Sequence, residues 1–124
     1  MIKIIHADRN IYFRKEIKKQ LEEKFPIDVA CSVDSFKEII KEVSNCNPDV
    51  LMTDWRLQDS SSFYFLPAIK AQFPKLKILM LTMKDDVEFI EECKPYFVSM
   101  VSMTASLDEI VREIIDIDNN KLNN

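Results

Sequence analysis

Five short apolar runs, each followed by a segment of helical periodicity, constrain this 124-residue chain more than any other feature. Three of them are especially clear: Ile2-Lys3-Ile4-Ile5-His6-Ala7, Val50-Leu51-Met52-Thr53 and Ile78-Leu79-Met80-Leu81. They end on the polar residues Asp8, Asp54 and Thr82. Apolar runs of this length between helical patterns read as strands of a parallel sheet buried on both faces. Each parallel connection is a crossover of fixed right hand, so five such units wind helices onto both faces of one sheet. The expected strand order is 2-1-3-4-5, with strands 1, 3 and 4 in the middle. Ligands bind at the carboxyl ends of the strands in such sheets, and this brings Asp8, Asp54 and Thr82 to one edge.

The expected strands are Ile2–Ala7, Ile27–Cys31, Asp49–Thr53, Lys77–Leu81 and Val98–Met103. Helix 1 spans Ile11–Lys24, with Phe13, Ile17 and Leu21 on one face, and stops before Pro26. Asp34 or Ser35 caps helix 2, Phe36–Ser44, and Asn45-Cys46-Asn47-Pro48 is a turn. Helix 3 starts in Ser60-Ser61-Ser62 and ends near Phe73; Pro67 is expected to kink it or confine it to a short first turn. Helix 4 covers Asp85–Cys93. Ser106-Leu107-Asp108-Glu109 is a capping box that opens helix 5, which runs to Ile117. The domain is thus residues 1–117, and 118–124 is a disordered tail or the stub of a linker.

Glycine is absent, where roughly nine are expected at average usage. Left-handed positions must therefore fall to Asn, Asp or Ser, and a glycine-rich phosphate loop is excluded. Cys31, Cys46 and Cys93 have no metal or redox spacing and read as reduced thiols of a cytoplasmic protein. Net charge is −4 with mixed signs, which offers no basic face for nucleic acid. No apolar stretch is long enough to span a membrane.

On these residues the chain resembles a response-regulator receiver domain, most of all the receivers that precede a helix-turn-helix output domain. Pro48-Asp49-Val50-Leu51-Met52-Thr53-Asp54 matches the family's acceptor strand, with Asp54 at the phosphorylated aspartate. Phe73 to Met83 followed by Asp85-Asp86 matches the fourth strand, and Thr82 falls on the switch hydroxyl. Ala105-Ser106-Leu107-Asp108-Glu109-Ile110 matches the start of the last helix. The resemblance implies a flavodoxin-like three-layer sandwich, two-component signalling, and a sensor histidine kinase or another signalling protein as partner. It implies no enzyme. It also implies Mg²⁺ held by acids and by the carbonyl of Arg56.

The departures from the pattern lie in the pocket. The family's second acid is Arg9, its lysine is Met103, and its aromatic switch residue is Met100. Arginine has donors only and cannot ligate Mg²⁺, which demands oxygen ligands. Asp8 and Asp54 against Arg9 alone leave net −1 without metal, so no Mg²⁺ cofactor is expected; Lys84 is a candidate substitute cation. The expected function is an atypical receiver acting through protein contacts. The alternatives are a conventional phosphorylation-activated receiver of a DNA-binding regulator and, remotely, a small hydrolase.

Several residues carry two readings. Asp54 is a phosphoacceptor or an ion-pair partner of Arg9. Asp8 is a pocket residue or the cap of helix 1. Trp55 is a lid over the pocket or a surface contact. Arg14 and Arg56 read as solvated or salt-bridged, and His6 as a buried, hydrogen-bonded strand residue. The face of helix 4, strand 5 and helix 5, with Tyr96, Phe97, Met100 and Met103, is the expected contact for a partner or a second copy of the chain.

Overall fold

A computed structural model of the chain describes residues 1–83 and 90–120. Its elements are β1 (Ile2–Ala7), α1 (Ile11–Lys24), β2 (Ile27–Val33), α2 (Phe36–Cys46), β3 (Val50–Thr53), α3 (Ser62–Gln72), β4 (Lys77–Thr82), α4 (Ile90–Cys93), a 3-10 turn (Lys94–Tyr96), β5 (Ser99–Ser102) and α5 (Leu107–Asn120). The strands form one parallel sheet in the order β2-β1-β3-β4-β5, as the sequence pattern predicts. Lys84 and most of the expected helix 4 lie outside the described residues, as does the end of the chain after Asn120.

Alternation along each strand feeds two cores. Ile4, Val50, Met52, Leu79 and Leu81 face α1 and α5, where Ile17, Leu21, Ile110 and Ile114 meet them. Ile5, Ala7, Leu51, Ile78 and Met80 face the other way, onto Ile39 and Val43 of α2 and Phe65, Leu66 and Ile69 of α3. Both faces of the middle strands are therefore dry, which is why they read as unbroken apolar runs.

Local chemistry sets the helix ends. Asn10 caps α1, its side chain accepting from the amides of Tyr12 and Phe13 at 2.9 and 3.1 Å. Ser35, not Asp34, caps α2 by accepting from the Glu38 amide at 3.1 Å. Ser106 accepts from the Glu109 amide at 3.2 Å, as the capping box requires. Asn47 closes α2 with φ of 49°, the sole left-handed residue among those described, and so fills the role glycine usually takes.

Three backbone details depart from expectation. Helix α3 runs on through Pro67, and α5 continues three residues past Ile117. The third departure matters most. Between Ile4 and Ile5 the β1–β2 register slips, so Ile4 pairs with Val29 but Ile5 pairs with Cys31, and Ala30 is the extra residue. A bulge of this kind re-aims the side chains that follow it. Cys31 is turned from the α1 face to the α2 face, where its Sγ lies 3.2 Å from that of Cys46. The cysteines that looked unrelated in sequence are neighbours.

Candidate functional site

The carboxyl ends of β1, β3 and β4 carry Asp8, Asp54 and Thr82. Asp8 follows β1 directly and is buried at 3% exposure. It is not the cap of α1, a place Asn10 holds; instead its Oδ1 accepts from the Asn10 amide at 2.7 Å. Its Oδ2 is buried and has no hydrogen-bond partner. Burial pushes the Asp8 carboxyl above its ordinary value; the Asn10 N–H lowers it, the charge of Asp54 raises it, and Arg14 and Arg9 lower it.

Asp54 stands half-buried at the end of β3, and its Oδ1 accepts from the Trp55 amide at 2.7 Å. Its own amide donates to the Ala7 carbonyl at 3.2 Å, which ties the β3 end to the β1 end. Thr82 is buried at the end of β4, and its carbonyl accepts from the Met103 amide at 2.9 Å.

The cations lie differently from the sequence reading. Arg9 is exposed and forms no ion pair with Asp54 among the described residues. It lines a shallow polar cleft with Arg56, Gln58, Asp59 and Ser60. Arg56 is exposed on the loop after β3, bridging to Ser61. Arg14, read as a solvated or paired surface residue, is neither. It reaches back from the first turn of α1 to donate to the Asp8 carbonyl at 3.0 Å, and its Nε is buried without a partner. Nothing in the spacing of residues 8 and 14 announces this contact; it needs the sharp β1–α1 connection that Asp8 and Asn10 build.

Further corrections concern apolar residues. Trp55 is neither lid nor surface contact: it is 4% exposed, its ring edge-on to Phe97 at 5.7 Å within the α2–α3 core. Tyr96 and Phe97 pack against that core, and Met103 against the opposite one. Among the described residues of this side, Met83, Val98 and Met100 are exposed. His6 is fully buried as expected but not hydrogen-bonded; neither nitrogen has a partner, and the ring packs edge-on against Phe13 at 5.5 Å.

The family model of the response regulator receiver domain matches residues 4–114. The chain belongs to this family. Domains of this family are the receivers of two-component signalling, and this chain is such a domain. The receiver is 30% identical over 95 residues to the response regulator protein VraR of Staphylococcus aureus, covering 77% of this chain and 43% of VraR. It is 25% identical over 118 residues to the transcriptional regulatory protein LnrK of Bacillus subtilis, covering 94% of this chain and 54% of LnrK. The chain thus spans about half the length of the curated relatives it matches. Among solved structures, the non-phosphorylated receiver domain of RcsB from Escherichia coli superposes with a TM-score of 0.86 at 19% identity, covering 96% of this chain and 94% of that one. A DNA-binding response regulator of the LuxR family from Staphylococcus aureus gives 0.85 at 17%, covering 95% and 99%. No helix among the described residues of this receiver is long and apolar enough to cross a membrane.

The family implies Mg²⁺ beside the acceptor, and the residues present do not fit it. Mg²⁺ keeps several of its waters and requires near-octahedral oxygen ligands. Asp8 offers a carboxylate walled off from solvent, with one oxygen already occupied by the Asn10 amide. The neighbouring acid is replaced by Arg9, and Arg14 adds a second guanidinium whose charge acts on Asp8.

Proposed function

We propose that this receiver signals through protein contacts without efficient Mg²⁺-dependent phosphorylation of Asp54. The observation that carries the reading is Arg14. Counted with Arg9, it brings two guanidinium charges to bear on the Asp8 carboxyl, which the charge of Asp54 also reaches. The pocket is then neutral without metal, rather than short of one positive charge as the sequence count implies. No electrostatic deficit remains for a divalent cation to fill. Phosphoryl transfer relies on positive charge held in advance around the moving oxygens. Here Met103 stands where the family keeps its lysine, and its side chain packs into the core.

Partner contact falls to the side of α4, β5 and α5, where Met83, Val98 and Met100 are exposed. A histidine kinase, another signalling protein or a second copy of the chain is the occupant. A conventional receiver is the second reading, favoured by the half-buried Asp54 and the hydroxyl residue Thr82 at the same sheet edge. Output through DNA, which the name of LnrK as a transcriptional regulatory protein suggests, belongs to the whole regulator.

Intact-mass spectrometry after treatment with acetyl phosphate and Mg²⁺ separates the readings. The expected result is no stoichiometric phosphoryl adduct on the natural chain and Mg²⁺-dependent labelling of the Arg9→Asp, Met103→Lys variant. One adduct per natural chain, lost in Asp54→Ala, establishes the conventional reading instead.

A further inference from the structure

Away from the phosphorylation edge, the structure gathers three metal-ligating side chains that play no part in the receiver's chemistry. The Sγ of Cys31 lies 2.8 Å from Glu42 Oε2 and 3.2 Å from the Sγ of Cys46, which is itself 3.7 Å from the same carboxylate oxygen. All three residues are half-buried, so the group is reachable from solvent. Two elements build it. The extra residue Ala30 in β2 turns Cys31 toward α2, and Glu42 and Cys46 stand four residues apart on one face of that helix.

We propose that Cys31, Glu42 and Cys46 form a binding site for a thiophilic divalent cation of the zinc class, which joins the edge strand β2 to α2. Tetrahedral zinc with sulfur at about 2.3 Å and oxygen at about 2.1 Å separates its ligands by about 3.8 Å (sulfur to sulfur) and about 3.6 Å (sulfur to oxygen). The observed separations lie within about 1 Å of that geometry, a shift that side-chain rotation supplies. Three protein ligands leave the fourth position to water, the open arrangement zinc also accepts. Two thiols and one carboxylate form a soft, anionic donor set when the thiols ionise, suited to zinc and unsuited to Mg²⁺.

The same contacts weigh against a disulfide switch. The Cys31 thiol is held protonated, by burial first and then by its hydrogen bonds to Glu42 and Cys46. A protonated thiol is a poor nucleophile toward oxidants. A cation changes that balance, because it displaces both thiol protons as it binds.

The test uses the full chain, reduced with a phosphine and freed of metal. Co²⁺ is added as a spectroscopic probe and Zn²⁺ as competitor. The expected result is a thiolate-to-cobalt charge-transfer band saturating at one equivalent and abolished by Zn²⁺. Cys46→Ser should lose it, Glu42→Gln should weaken binding at least about tenfold, and Cys93→Ser should keep it. In parallel, Zn²⁺ should shield Cys31 and Cys46 from alkylation. Circular dichroism establishes that each variant folds; if Cys31→Ser does not, Cys46→Ser, at the last turn of α2, carries the test. Absence of a sulfur band at one equivalent, or a band unchanged in folded Cys46→Ser, overturns the proposal. So does an intramolecular Cys31–Cys46 disulfide that peroxide forms equally well with Zn²⁺ present.

Discussion

His6 makes the stability of this receiver depend on pH in a range where few other groups titrate. Burial pushes its imidazole from 6.5 down to about 3, and the positive charge of Arg14 adds to the effect. The folded state therefore keeps His6 neutral across the range in which the unfolded chain takes up a proton. For a group depressed on folding, stability is fully present above the unfolded value and is lost as pH falls toward the folded one. Each unit of that window costs about 1.4 kcal/mol. Lowering the pH from about 7.5 to about 5 should remove about 2 kcal/mol. With an unfolding entropy of about 0.26 kcal/mol/K for a chain of this length, that loss is a fall of about 8 °C in Tm. Asp8 pulls the other way, since burial raises its carboxyl and favours the protonated, folded form as pH falls. A double difference removes this contribution: urea unfolding of the natural chain and of His6→Leu, each at both pH values. The His6→Leu chain should lose about 2 kcal/mol less than the natural one between them. A double difference below about 0.5 kcal/mol, or an imidazole titrating near its unperturbed value by NMR, refutes the reasoning.

Three further outcomes follow from the packing. His6→Leu should also gain stability at neutral pH, because it removes two buried ring nitrogens that lack partners at a cost of roughly 1–3 kcal/mol; calorimetry reads this as a raised Tm. Asp8→Asn should raise Tm at neutral pH, and the gain should shrink in acid where the Asp8 carboxyl is protonated; scanning fluorimetry at two pH values checks both parts. Phe65→Ala should cost about 3–5 kcal/mol in urea unfolding, since Phe65 is fully buried and stacks on Phe36 at 6.3 Å, whereas Ser35→Ala, which removes only a helix cap, should cost about 1 kcal/mol.

The sheet was legible because both of its faces are buried. Val50-Leu51-Met52-Thr53 sends alternate side chains into two different cores, and an unbroken apolar run has no other economical placement. Caps were legible for a related reason: Ser35 and Ser106 act on amides three residues away, within reach of a local pattern. What escaped the sequence depends on register. Ala30 carries no mark of a bulge, yet one extra residue reverses the facing of every later side chain in β2. That reversal is the whole difference between isolated cysteines and the Cys31–Glu42–Cys46 cluster. Trp55 escaped because the residue after a strand can turn either way, and here the Asp54 carboxylate takes its amide while the ring drops against Phe97.

The pocket follows the same logic. Asp8, Asp54 and Thr82 reach one edge by topology alone, but Arg14 joins them from a helix face and not from a strand end, where no strand pattern points to it. Its guanidinium is held partly out of water, with a buried Nε lacking a partner, a costly arrangement for a surface arginine. It remains in place because the Asp8 carbonyl accepts from it and the Asp8 carboxylate, itself buried, is stabilised by its charge. Each group answers the other's burial. Arg14→Met should therefore push the Asp8 carboxyl higher still, since desolvation and Asp54 would then be opposed only by the Asn10 amide and the exposed Arg9. NMR titration of the Asp8 carboxyl in the two chains measures this directly. An Asp8 titration unchanged by Arg14→Met would mean that Arg14 does not set the charge of the pocket, and the proposal of a neutral pocket would lose its second cation.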